Sequence, residues 1–99
     1  MLHQLKFELE ALGEWKSLDK GVREPLKKKL ANRLANPHVP KDKLFGDLAG
    51  CYKIKNNKTG HRLIYQVIDQ ELVVLVLAID SRADLRAYRL ASERIQAPN

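Results

Sequence analysis

The hydrophobic pattern predicts an α+β fold: one domain over residues 1–99 in the order β-α-α-β-β-β-α, with an antiparallel sheet packed against two N-terminal helices. Three observations predict it. Apolar residues recur at helical spacing between positions 9 and 34. They switch to strand-like patterns between positions 51 and 79, and the connections there are short enough to be hairpins.

Each element follows from local chemistry. Leu5, Phe7 and Leu9 alternate with Lys6 and Glu8, the period of a half-buried strand. Leu9, Leu12, Trp15 and Leu18 then recur in steps of three, predicting a short amphipathic helix from about Glu10 to Leu18 with Trp15 in the core. Gly13 inside it costs about 1 kcal/mol relative to Ala, so packing of the Trp15 face has to hold the helix. Asp19 is placed to cap a second helix whose stripe is Val22, Leu26, Leu30 and Leu34. Pro25 lacks an amide donor, which predicts a late start or a kink. Pro37 disfavours helix in the residue before it, so the helix should stop at Asn36. Residues 37–50 contain Pro37, Pro40, Gly46 and Gly50 and read as one long connection, of a length often reserved for function.

Three strands follow: Cys51 to Lys55, His61 to Ile68 and Glu71 to Ile79, joined by turns at 56–60 and 69–70. Such short joints make an antiparallel meander. The eight-residue apolar run Leu72 to Ile79 predicts a central strand covered on both faces. Ser81-Arg82-Ala83-Asp84 matches a capping box and opens a last helix reaching about Ile95.

Composition narrows the function. The apolar share of 44% is enough for a core, which argues against disorder. The longest apolar run is far below the ~20 residues of a membrane helix, and the first ten residues lack a secretory h-region. One cysteine forms no internal disulfide, and His3, His38 and His61 show no ligand spacing, so neither metal nor cofactor is expected. The chain reads as a soluble, cytoplasmic domain with no membrane partner. Eighteen Lys and Arg against twelve Asp and Glu give +6, which favours polyanions through counterion release. The excess is local: Lys53, Lys55, Lys58 and Arg62 stand between positions 51 and 62 with no acid, and Lys27, Lys28 and Lys29 form a second run that reads as a solvated helix face.

The usual catalytic devices are absent. The glycines are scattered, no serine sits in a nucleophile elbow, and no conspicuous carboxylate pair stands beside the basic cluster. What the chain offers is cationic. Lys53 and Lys55 are two apart on a strand, so both emerge on one face, while Tyr52 and Ile54 face the core. Arg62 stands across the turn from them, Arg82 lies just beyond the last strand, and Tyr88 follows on the last helix. Four cations and a phenol suit a phosphate better than a metal.

The run Cys51-Tyr52-Lys53-Ile54-Lys55, followed by Gly60-His61-Arg62-Leu63-Ile64-Tyr65-Gln66-Val67, resembles the centre of the RelE-type toxins of prokaryotic toxin–antitoxin pairs. The resemblance extends through Glu14-Trp15-Lys16, Val22-Arg23-Glu24 and Leu26-Lys27-Lys28-Lys29-Leu30, and covers about Phe7 to Ile95. It implies the RelE/ParE fold and a metal-independent endoribonuclease that cuts messenger RNA in the ribosomal A site. The family's two strand lysines match Lys53 and Lys55, its arginine after the turn glycine matches Arg62, its arginine beyond the last strand matches Arg82, and its last-helix aromatic matches Tyr88. His61 stands where relatives often carry tyrosine, and a regular strand points it away from Arg62.

The chemistry so implied is attack of the 2′-hydroxyl on the neighbouring phosphorus, giving a 2′,3′-cyclic phosphate and a free 5′-hydroxyl. Tyr88 is the expected base and Arg82 the expected acid or leaving-group stabiliser. Lys53, Lys55 and Arg62, with Lys58 nearby, are expected to hold the phosphate. Tyrosine and arginine are weakly suited to these roles at neutral pH, so orientation of the RNA by the ribosome is expected to supply much of the rate. Two alternatives stand beside this: a gyrase inhibitor of the ParE type, which needs no assembled phosphate site, and a non-catalytic RNA-binding module, which leaves Arg82 and Tyr88 without a role. The resemblance also implies a cognate antitoxin, RelB-like or of another family, and operator DNA reached through the antitoxin complex.

Overall fold

The computed structural model describes residues 2–81 and 85–95. Its elements are β1 (Gln4–Phe7), α1 (Leu9–Ser17), α2 (Lys20–Ala35), β2 (Cys51–Lys55), β3 (Arg62–Ile68), β4 (Val73–Asp80) and α3 (Arg86–Arg94), with single 3-10 turns at Pro40–Asp42, Gly46–Leu48 and Asp69–Glu71. The four strands form one sheet in the order β1-β4-β3-β2.

The meander β2-β3-β4 is antiparallel, as its short turns require. β1 pairs with β4 in parallel, so the sheet is mixed rather than wholly antiparallel. The reason is topological: α1 and α2 carry the chain across one face to the far edge, and the meander returns it to the first strand in the same direction. β4 lies between β1 and β3, and its residues are almost wholly buried.

Two apolar layers flank the sheet. One gathers Ala11, Leu26 and Leu30 against Tyr52, Ile54, Leu63, Tyr65, Val74, Val76 and Ile79, with Phe7 and Trp15 packed on it at a ring separation of 5.5 Å. The other sets Ala87 and Ala91 of α3, with Leu48, against Cys51, Ile64, Val73, Leu75, Leu77 and Ala78. The last helix therefore covers the face opposite the two N-terminal helices. In β4 the pairing steps from Tyr65 opposite Val76 to Ile64 opposite Ala78, leaving Leu77 as one extra residue. This β-bulge inverts the alternation, so Leu77 and Ala78 face the same layer and Ile79 turns to the other.

Local details depart from the sequence pattern for physical reasons. Leu9 is exposed at the first turn of α1, and Ala11 is buried there instead. Glu8 caps that helix by accepting from the Ala11 amide at 2.9 Å. Asp19 holds the N-cap position of α2 without a side-chain hydrogen bond, and the helix runs on through Pro25 without starting late. It ends at Ala35 as Pro37 dictates. The proposed capping box at 81–84 lies largely outside the described residues. Asp69, at the β3–β4 turn, accepts from His3 Nε2 at 3.1 Å and His38 Nε2 at 2.9 Å. These two hydrogen bonds hold its carboxyl below the usual carboxylate range.

Candidate active site

Strand register assembles the site. Lys53 is paired with Ile64 and Lys55 with Arg62, and paired residues in neighbouring strands share a face. Ile64 belongs to the layer under α3, so Lys53, Lys55 and Arg62 all project on that side of the sheet. Tyr52 and Ile54 are buried on the other side, as the alternation predicts. Arg62 also donates from Nη1 to the Gly60 carbonyl at 3.3 Å.

The edge strand carrying the lysines is fixed from α2. Lys29 Nζ donates to the Lys55 carbonyl at 2.7 Å, and Arg33 Nη1 donates to the Lys53 carbonyl at 3.3 Å. Arg33 is itself held by Asp42 at 2.6 Å and by the Tyr65 hydroxyl at 2.9 Å, and that hydroxyl donates to the Pro37 carbonyl at 2.7 Å. These bonds satisfy the open carbonyls of β2 and fix the strand on which both lysines ride. Of the second basic run, Lys27 and Lys28 are solvated as expected, whereas Lys29 is part of this support.

The turn before Arg62 is organised by Asn56, the buried polar side chain of the hairpin. Its Oδ1 accepts from the amides of Lys58 and Thr59 at 3.0 and 3.2 Å, and its Nδ2 donates to the Val22 carbonyl at 3.2 Å. Gly60 completes the turn at φ +81°, a conformation glycine adopts freely. Lys58 is exposed at the tip of this turn, beyond the Lys55–Arg62 pair. His61 contacts Thr59 Oγ1 through Nδ1 at 2.8 Å and lines a groove with Gly13 and Glu14 of α1, away from the cationic face.

Tyr88 is half-buried on α3 and packs on the layer that contains Leu48, Cys51 and Ile64, the same layer that borders Lys53. Arg86 Nε pairs with Asp80 at 3.0 Å and so ties the start of α3 to the end of β4. Arg94 ties its other end. Nη1 and Nη2 donate to the two oxygens of Glu14 at 3.0 and 2.9 Å, with further bonds to Glu10 at 2.9 Å and the Leu77 carbonyl at 3.0 Å. Glu14 Oε1 also accepts from the Ile79 amide at 3.1 Å, so this carboxylate joins helix to sheet. Arg82 lies outside the described residues. Cys51 is buried and its thiol is pushed up to about 12, which removes it as a nucleophile.

The structure thus brings Lys53, Lys55, Arg62 and Tyr88 onto one side of the sheet. Sequence reasoning passed over Arg33, Asp42, Asn56 and Arg94, which hold those residues in place. Arg33 stood seven residues after Leu26 and three after Leu30, close to the buried stripe of α2, and the turn-forming run Asn56 to Gly60 pointed to an organising asparagine.

Comparison with known proteins gives the family. Residues 5–86 match the family described as ParE toxin of type II toxin–antitoxin system, parDE. The chain is 44% identical over 95 residues to the mRNA interferase toxin RelE of Escherichia coli strain K12, covering 96% of this chain and 99% of that one. It superposes on an arginine-substituted variant of the E. coli toxin RelE in the free state with a TM-score of 0.88 at 43% identity, over 97% of this chain and 100% of that one. The match to the intact E. coli RelBE toxin–antitoxin complex has a TM-score of 0.77 at 46% identity, over 80% of this chain and 95% of that one. The chain belongs to the RelE/ParE family of toxins of type II toxin–antitoxin systems.

Proposed function

We propose that this chain is the toxin of a type II pair and a metal-independent endoribonuclease that cleaves messenger RNA on the ribosome. The observation that carries the reading is the register that sets Lys53, Lys55 and Arg62 on one face, beside the helix bearing Tyr88. The relative at 44% identity named mRNA interferase toxin RelE supports the same activity.

In this reading Tyr88 takes the 2′-hydroxyl proton as the 2′ oxygen bonds to phosphorus. Lys53, Lys55 and Arg62 stabilise the added negative charge, and Arg82 assists the 5′ oxygen as its bond to phosphorus breaks and a proton reaches it. The products are a 2′,3′-cyclic phosphate and a 5′-hydroxyl. Lys58, at the hairpin tip, serves the flanking backbone of the RNA. Working on ribosomes places the protein in the cytoplasm. The cognate antitoxin is of the RelB kind, by analogy with the E. coli complex, and operator DNA is reached through that antitoxin.

The test is cleavage of a messenger on ribosomes programmed with a defined A-site codon, mapped by primer extension. A discrete A-site cut is expected, with Tyr88→Phe slower by about 10²- to 10⁴-fold. An intact messenger would overturn the reading and direct attention to gyrase. Rapid digestion of naked RNA without sequence preference would overturn the ribosome requirement.

A further inference from the structure

We infer that the groove beside Tyr88 is a nucleobase pocket, in which Phe45 stacks on one base of the RNA and Asp47 reads that base's hydrogen-bonding edge; the inference rests on the ribonuclease reading. The chain has one Trp, three Tyr and two Phe. Five of these rings are buried or half-buried, whereas Phe45 is 76% exposed. Water contact of this extent is costly for a phenyl ring, which gains most when something flat covers it.

The ring is presented by fixed backbone. The Leu44 amide donates to the Cys51 carbonyl at 3.0 Å, the Leu48 amide donates to the Phe45 carbonyl at 3.1 Å, and Lys43 bridges to Tyr52. Gly46, at φ +63°, makes the bend that follows. Phe45 is thus anchored on both sides while its side chain stands free, an arrangement that lowers the ordering cost of binding. Lys43 Nζ lies over the ring at 5.9 Å from its centre, so a cation sits against one of its faces.

The groove has a volume of about 350 Å³, with Phe45 and Leu85 as apolar parts, Tyr88 as a wall, and Asp47, Arg89 and Ser92 as polar lining. That is near the lower end of ligand sites, the scale of a single nucleoside. An aromatic platform with a cation nearby is how single-stranded RNA is held, because every base has a π-face. Asp47 is exposed and its carboxylate only accepts hydrogen bonds, so it favours bases that offer an amino group, cytosine, adenine or guanine, over uracil. Arg89 is placed for the neighbouring phosphate. The pocket shares Tyr88 with the cleavage site, so it would fix which nucleotide lies next to the reacting 2′-hydroxyl.

The test uses the whole chain and 2′-O-methyl RNA trinucleotides, whose capped nucleophile prevents cleavage, followed by NMR. The Phe45 ring resonances should shift on titration, and the shift should vanish when the stacked base is replaced by an abasic residue. Phe45→Ala should weaken binding about 5- to 150-fold, the range for stacking of one base, and Phe45→Trp should restore it. Asp47→Asn should narrow the gap between amino-bearing and uracil trinucleotides. Shifts at Lys53, Lys55 and Arg62 with Phe45 unmoved would overturn the pocket and leave the nuclease reading standing. No perturbation at either place would overturn the pocket as well, the nuclease reading being decided by cleavage on programmed ribosomes. A Phe45 shift produced by purified antitoxin and not by RNA would make the groove a protein-docking surface and overturn the proposal.

Discussion

Replacing Arg94 by Met removes a charge from a side chain that is only 9% exposed, while keeping its aliphatic length. The cost can be built from its partners. Glu10 is 71% exposed, so that arm is worth about 0–1 kcal/mol after solvent screening. Glu14 is 26% exposed and accepts a two-pronged, charge-assisted contact, worth about 1.5–3 kcal/mol. The lost bond to the Leu77 carbonyl adds about 1 kcal/mol. A total of about 2.5–5 kcal/mol then stands against the apolar hold of α3, whose fully buried residues are Ala87 and Ala91 at about 0.8 kcal/mol per methyl. The expected result is local: α3 undocks while the sheet stays folded. Amide hydrogen exchange should show protection in α3 falling by about 10²-fold with β4 little changed. Glu14→Gln keeps an acceptor for the Ile79 amide and loses the ion pair, so it should reproduce part of the effect. Wild-type protection of α3 in Arg94→Met would refute the assignment of this clasp as what seats the helix.

Three other outcomes are expected. Asn56→Ala should lower stability by about 1–3 kcal/mol in urea unfolding, since the Lys58 and Thr59 amides and the Val22 carbonyl lose their partner. Cys51 should resist alkylation by iodoacetamide at pH 8 in the folded protein and react fully once unfolded; prompt labelling of the native chain would contradict its burial and raised pKa. Asp69 has a folded pKa below its unfolded value, so its contribution is present above the ordinary carboxylate pKa near 3.9 and is lost as pH falls through the lower folded value. Asp69→Asn should therefore flatten the acid limb of the stability–pH curve, and an unchanged limb would contradict the His3 and His38 contacts.

What the sequence disclosed and what it withheld divide along physical lines. The facing of Lys53 and Lys55 was legible because side chains in a strand alternate strictly, and Arg62 followed from the length of one turn. The stop of α2 was legible because Pro37 acts on its immediate neighbour. The parallel pairing of β1 with β4 was not, since it joins segments some seventy residues apart and no local pattern encodes the partner. The clasp of Arg94 on Glu14 and the bracing of β2 by Arg33 were hidden for the same reason: charged residues look solvated until the fold supplies a distant acceptor. Phe45 was hidden inside a connection with no period to read. Arg82 stands in the sequence where the family pattern expects it, and its placement lies outside the described residues.

The bulge at Leu77 governs more than the shape of β4. Strand alternation is a two-valued phase, and a bulge that sets two successive residues on one face reverses it for everything downstream. With that reversal Asp80 comes to the α3 side, opposite Arg62, where it pairs with Arg86. Were Leu77 taken up into a regular strand instead, Ala78 and Asp80 would fall on the same side as Val76, towards α1, leaving the start of the Tyr88 helix without its anchor. Residue identities along this strand are therefore negotiable among apolar side chains of similar size, but with Leu77, Ala78 and Ile79 all standing between Val76 and Asp80 the bulge is not. The position of the candidate base relative to the lysines is set by a backbone irregularity as much as by any side chain.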